Sequence, residues 1–143
     1  MGPVDARRGQ RLSYVLDSTV IIDFVVGFEP GLAVVEQLFA QPQDLYVGEV
    51  VTCECLSKGA PEDVRVARNL LRALEYVTLS PDYAAWAGDK RRQAITAGRR
   101  TPSTTDALVA ALAHSLGATV VTRNVRDFEA FDVPVLGYGD EPG

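Results

Sequence analysis

Five short β-prone runs punctuate the chain, and longer segments with helical spacing lie between them. Residues 12–16 form an apolar run that ends at Asp17, and Ser18-Thr19 leads into the apolar stretch 20–26, which reads as strand, turn and helix. Val34, Val35, Leu38 and Phe39 stand at helical spacing within 31–41, and 45–47 is a brief second strand. Residues 50–56 are mostly apolar around Glu54 and precede the stop signal Lys58-Gly59-Ala60-Pro61, which predicts a helix. The next helix, 62–74, gathers Val66, Leu70, Leu71 and Leu74 on one face and leaves Arg65, Arg68 and Arg72 elsewhere, and 76–79 is the third strand. Pro81 opens a helix over 81–97 that carries Trp86, Ile95 and the basic segment Lys90-Arg91-Arg92. The small residues of 103–116 describe a tightly packed helix closed by Gly117, followed by a strand at 118–121, a loop and short helix over 123–131, and a final edge strand at 133–136. Strands alternating with helices imply a mainly parallel sheet covered on both faces, with ligands beyond the carboxyl ends of its strands.

At 143 residues and 47% hydrophobic composition, one domain can bury a continuous core. We read 12–143 as that domain and 1–11 as an N-terminal extension. Cys53 and Cys55 are too close for an ordinary bridge and lack the companions of a zinc site, so they are expected to be free thiols in a reducing cytoplasm. No apolar run approaches the roughly 20 residues of a membrane span, and the first residues lack the apolar stretch of a signal peptide, which predicts a soluble cytoplasmic protein.

Candidate chemistry lies in four acids: Asp17, Glu54, Asp106 and Asp127. Asp17 closes the first strand and Asp127 follows the 118–121 strand by a few residues, so both can project at the carboxyl edge of the sheet. Each acid also has a plainer explanation. Asp17 and Asp127 can cap the turns that follow them, Asp106 can be the acidic member of a Ser103-x-x-Asp106 capping box, and Glu54 can lie on an exposed stripe. The apolar neighbours of Glu54 suggest instead that much of its helix is buried, where an unpaired carboxylate is expensive. Together the four supply what a hard divalent cation, Mg²⁺ or Mn²⁺, requires: oxygen ligands and little else. Setting them aside as ligands brings the formal charge of −5 close to neutral, so net acidity does not exclude RNA. The single histidine, His114, sits within the Ala-rich helix, which excludes acid and base work by a histidine pair.

Two motifs carry a family resemblance that spans about residues 12–136. Thr105-Asp106-Ala107-Leu108-Val109-Ala110-Ala111, followed by Thr122-Arg123-Asn124 and Asp127-Phe128, resembles the Asp-x-Leu-Ile-Ala-Ala helix and Thr-x-Asn-x-x-Asp-Phe ending of the PIN-domain ribonucleases, in particular VapC-type toxins of bacterial toxin–antitoxin pairs. Val15-Leu16-Asp17-Ser18-Thr19 with its following aliphatics is similar to the family's opening strand and turn. The family more often shows Thr-x-x-Glu-Leu where this chain has Thr52-Cys53-Glu54, and Glu49 is a rival for that role. The resemblance implies a three-layer α/β/α sandwich with a sheet of four to five strands. It implies that Asp17, Glu54, Asp106 and Asp127 hold Mg²⁺ or Mn²⁺ or orient water, supported by Ser18, Thr19, Thr122 or Asn124. It also implies a homodimer and a VapB-like antitoxin that holds the enzyme inactive.

The expected reaction is hydrolysis of an RNA phosphodiester. Arg123 and Arg126 flank the acids in sequence, and Lys90, Arg91, Arg92, Arg99 and Arg100 surround the long helix and its exit, so these are candidate phosphate contacts. A solvated helix face is the alternative for the second group. A receiver domain would need an acidic pair after the first strand, and a haloacid-dehalogenase phosphatase would need Asp at the position of Thr19. A non-catalytic PIN scaffold that binds RNA or a protein stays open as the other class of reading.

Overall fold

The β-branched and aliphatic run ending at Leu16 becomes the central strand of the molecule. The computed structural model describes residues 11–139. Its elements are β1 (Ser13–Leu16), α1 (Ser18–Val25), α2 (Glu29–Ala40), β2 (Asp44–Val47), α3 (Glu49–Leu56), α4 (Pro61–Arg72), β3 (Glu75–Tyr76), α5 (Pro81–Thr96), α6 (Thr104–Leu116), β4 (Thr119–Thr122), a 3-10 helix (Val125–Phe131) and β5 (Val135–Gly137). Apart from Arg11, the predicted extension 1–11 lies outside the described residues.

All five strands are parallel, in the order β3-β2-β1-β4-β5. Val15 pairs with Tyr46 on one side and Val120 on the other, which leaves Val15, Leu16, Val120 and Val121 fully enclosed. Such continuous aliphatic strands are the mark of a sheet buried on both faces. Helix α1 packs against both α2 and α4, and α5, α6 and the 3-10 helix pack with one another. The connections from β1 to β3 step one way across the sheet and those from β3 to β5 the other, and the right-handedness of such crossovers puts the two groups on opposite faces. Ala107, Ala110, Ala111 and Ala113 are all buried and let α6 lie close against β1 and β4, while Phe128 and Phe131 fill the space beneath the 3-10 helix. Helix α3 touches both α1 and α6, so it stands at an end of the sheet between the two layers.

Local chemistry accounts for most element ends. Pro81 and Pro61 sit in the first turn of their helices, where a missing N–H costs nothing. Ser103 Oγ accepts from Asp106 N–H at 3.0 Å to start α6, and Gly117, at φ 61°, ends it in the left-handed conformation that glycine tolerates. Helix α2 begins at Glu29, before the predicted position 31, because Pro30 is itself a good first-turn residue. The third strand is shorter than the 76–79 expected: Val77 still donates to Val47 at 2.9 Å, but Leu79 N–H turns away to the Glu49 carboxylate at 3.4 Å. Among the described residues no single helix is long and apolar enough to cross a membrane. Cys53 and Cys55 are free thiols, and burial, with Glu54 and Asp17 nearby, pushes the Cys55 thiol up to about 12.

Candidate metal centre

Strand order reverses at β1, whose connections leave toward β2 on one side and whose other neighbour, β4, arrives much later in the chain. A parallel sheet opens a crevice outside the carboxyl ends of its strands at such a point. Asp17 follows β1 directly and Thr122 ends β4, so these two side chains meet at the crevice.

Asp17 is only 3% exposed and Thr122 is fully buried. Asp17 Oδ2 accepts from Thr122 Oγ1 at 2.8 Å and from Thr19 Oγ1 at 3.1 Å. With their protons committed to Asp17, the hydroxyls accept from the backbone: Arg123 N–H donates to Thr19 Oγ1 at 3.1 Å and Asn124 N–H to Thr122 Oγ1 at 3.0 Å. One carboxylate oxygen is therefore fixed through two hydroxyls and two amides. The other, Oδ1, is buried without a hydrogen-bond partner. Asp17 occupies the cap position of α1 but makes no side-chain cap bond, so capping does not explain it. Burial pushes its carboxyl up from the ordinary range, opposed by Thr122, the Ser18 backbone N–H and Thr19, and reinforced by the charge of Glu54.

The acids influence one another through their charges. Asp106, in the first turn of α6, is pushed up to about 6 by burial, against the lowering effect of Ser103 and with the added charges of Asp17, Asp127 and Glu54. Asp106 thus uses its backbone N–H in the cap, while its carboxyl feels the charges of the other three acids. Glu54 lies on the exposed side of α3, contrary to the burial its apolar neighbours suggest, because Val51 and Cys55 take the inward positions. It stands on the rim of a cleft of about 360 Å³ lined by Ile21, Ile22, Val25, Val26 and Lys58. Asp127, half-buried in the 3-10 helix, is ion-paired with Arg100 and rims a second cleft, of about 530 Å³, with Arg99, Arg100 and Arg126. Glu49, the rival to Glu54, is occupied with Leu79 N–H.

The supporting residues divide by function. Thr19 and Thr122 touch Asp17, Asn124 contributes its backbone N–H, and Ser18 is buried at the first position of α1. Among the candidate RNA contacts, Arg91 Nε donates to Pro102 O at 2.9 Å and braces the loop before α6, Arg92 is exposed, and Lys90 lies over Trp86 and pairs with Asp132 at 3.4 Å. His114 is exposed and stacks on Trp86 with ring centroids 4.5 Å apart, so its partner is an aromatic ring.

Arg123 is held by a residue that the pattern of acids did not single out. Asp23, 4% exposed on α1, lies 3.1 Å from Arg123 Nε and accepts from Tyr138 Oη at 2.7 Å. A carboxylate inside the aliphatic stretch Val20-Ile21-Ile22-Asp23-Phe24-Val25 demands a buried partner, and that was the signal available in the sequence.

The donor set suits a hard cation. A buried carboxylate oxygen without a partner, in the field of further acids, is costly unless a positive charge joins it. Among the described residues, no three Asp, Glu, His or Cys side chains lie close enough to grip one ion together. Mg²⁺ makes no such demand, since it keeps several of its waters and binds through one or two carboxylates directly, the rest acting across water.

This fold, with an aspartate at the first switch-point strand and a second on the small-residue helix, defines a class. The chain belongs to the PIN-domain family, whose model matches residues 14–134. Its fold is that of a chain in VapBC2 from Rickettsia felis bound to a promoter DNA fragment, with a TM-score of 0.76 at 19% identity over 90% of this chain and 100% of that one. VapBC-1 from nontypeable Haemophilus influenzae is similar at a TM-score of 0.73 and 19% identity, over 88% and 98% of the two chains. VapC20 of Mycobacterium tuberculosis, a sarcin-ricin loop cleaving toxin, superposes at a TM-score of 0.58 and 16% identity, over 75% and 86%. No curated protein matches the chain in sequence.

Proposed function

We propose that this chain is a metal-dependent endoribonuclease and the toxin of a toxin–antitoxin pair, acting in the cytoplasm. Membership of the PIN family and the likeness to VapC chains support the reading, and the observation that carries it is the half-satisfied Asp17 carboxylate, with Oδ2 held and Oδ1 buried and open. A Mg²⁺ or Mn²⁺ ion bound there supplies activation of water for attack on phosphorus and neutralisation of charge on the phosphate oxygens. Asp17 would hold the ion, with Asp106 on α6, Glu54 on α3 and Asp127 on the 3-10 helix as the further acids of the proposed site. Thr19 and Thr122 keep Asp17 oriented, and the cleft that Arg99, Arg100 and Arg126 line with Asp127 is the proposed path of the RNA backbone. A VapB-like antitoxin and a homodimer complete the proposed assembly.

Among the described residues no three acids lie within gripping distance of one ion, and that observation favours the second reading, a PIN scaffold that binds without cutting. Purified protein free of any antitoxin, incubated with structured RNAs in Mg²⁺, Mn²⁺ or chelator, separates the two. Cleavage that needs the cation and vanishes in Asp17→Asn and Asp106→Asn supports the nuclease; cleavage that survives chelator, or is absent in every metal, removes it.

A further inference from the structure

Asp23 stands outside the acid cluster, yet its surroundings are fully specified. Tyr138 Oη and Arg123 Nε meet the same carboxylate oxygen, Oδ2, and the Arg123 guanidinium covers the Phe28 ring at 5.4 Å. On the far side Gly31 of α2 comes so near that a Cβ placed there would stand 2.6 Å from Asp23 Cβ. The backbone of Arg123 takes a separate tie, to Thr19 Oγ1, and Thr19 precedes Asp23 by four residues, one helical turn along the same face of α1. The next amide, Asn124 N–H, holds Thr122 Oγ1. The two hydroxyls secured in this way are the two that donate to Asp17 Oδ2.

We infer that Asp23, Arg123 and Tyr138 form a positioning unit, clamping the turn at 123–124 onto α1 so that Thr19 and Thr122 hold Asp17 with Oδ1 as its one open oxygen. A buried carboxylate tolerates few arrangements of its cation, because losing the partner leaves a charge without compensation. The clamp therefore has one register, and the register reaches Asp17 through the backbone of the residue whose side chain is clamped. Arg123 is on this account a positioning residue, and its guanidinium is spent on Asp23 instead of on RNA phosphate. The inference rests on the metal-dependent reading above, since it concerns how Asp17 is presented to a cation.

The test is Mn²⁺ binding to the purified full chain by titration calorimetry, alongside RNA-cleavage kinetics. Tyr138→Phe deletes one oxygen, and Arg123→Lys keeps the charge while losing the directed Nε. Both are expected to weaken Mn²⁺ binding by about 10-fold, the lower end of what loss of an outer partner costs, and to lower kcat while KM for RNA holds. Wild-type Mn²⁺ affinity in both variants overturns the inference. If KM for RNA then rises in Arg123→Lys and its salt dependence flattens, Arg123 is a phosphate contact; if only Tm falls, the unit is purely structural. Should Arg123→Lys fail to fold, Tyr138→Phe decides the matter by itself. A wild-type protein that neither binds Mn²⁺ nor cleaves RNA overturns the nuclease reading and this inference with it, whereas a competent wild type with unaltered variants overturns this inference alone.

Discussion

A carboxylate buried with one oxygen unsatisfied works against stability, and Asp17 is placed in that way. Asp17→Asn removes the charge and keeps an oxygen for Thr19 and Thr122, so the metal-free variant is expected to have a higher Tm than the wild type by differential scanning calorimetry. The same variant should lose more RNA cleavage than the roughly 10–100-fold that removal of an outer partner costs. Stability gained where activity is lost separates a functional acid from a cap, whose removal lowers both. Asp106 extends the point to pH. Its folded pKa, pushed up to about 6, exceeds the ordinary value of 3.8, so the folded protein binds protons more readily than the unfolded chain. Its contribution to stability is fully present below the unfolded value and is lost as pH rises through about 6; Asp17, also raised, acts in the same direction. Metal-free protein should therefore gain urea stability between pH 7 and pH 5. Cation-dependent cleavage should fall over the same interval, because ligands must be deprotonated.

Elements inherit constraints from these residues. Gly31 in α2 lies against Asp23, with a virtual Cβ 2.6 Å from Asp23 Cβ and 3.3 Å from its backbone carbonyl carbon. Alanine ordinarily strengthens a helix relative to glycine, but here it must push α2 off α1, and Gly31→Ala is expected to cost about 1–3 kcal/mol in urea denaturation. Periodicity made the helices and four of the strands legible to within a few residues, since burial on both faces of the sheet writes itself as aliphatic runs. What it could not show was where side chains outcompete the ladder. Glu49 captures Leu79 N–H and shortens β3, and Val51 with Cys55 turns Glu54 outward. Asp17 and Asp106 were readable from position alone, at a strand end and in a helix first turn. The Asp23 network was not, because its three members lie on α1, after β4 and after β5, and no local pattern links them.

On the scale of the whole molecule, the acids come from α1's threshold, α3, α6 and the 3-10 helix, so a cation that binds them ties both layers of the fold together. Saturating Mg²⁺ or Mn²⁺ should raise Tm where equal ionic strength of Na⁺ does not, with stabilisation of about 2.7 kcal/mol at a hundredfold excess over Kd. Calorimetry with and without chelator checks this without any RNA present. The bond between Thr122 and Asp17 joins residues 105 positions apart, and that between Tyr138 and Asp23 spans 115. Loop closures of that length come late in folding. A polypeptide still emerging from the ribosome has therefore already displayed three of the four acids before the strand that orders the first of them exists. The first acid thus waits through 105 further residues of synthesis for the hydroxyl that fixes its oxygen, and until then it is one solvated carboxylate among others.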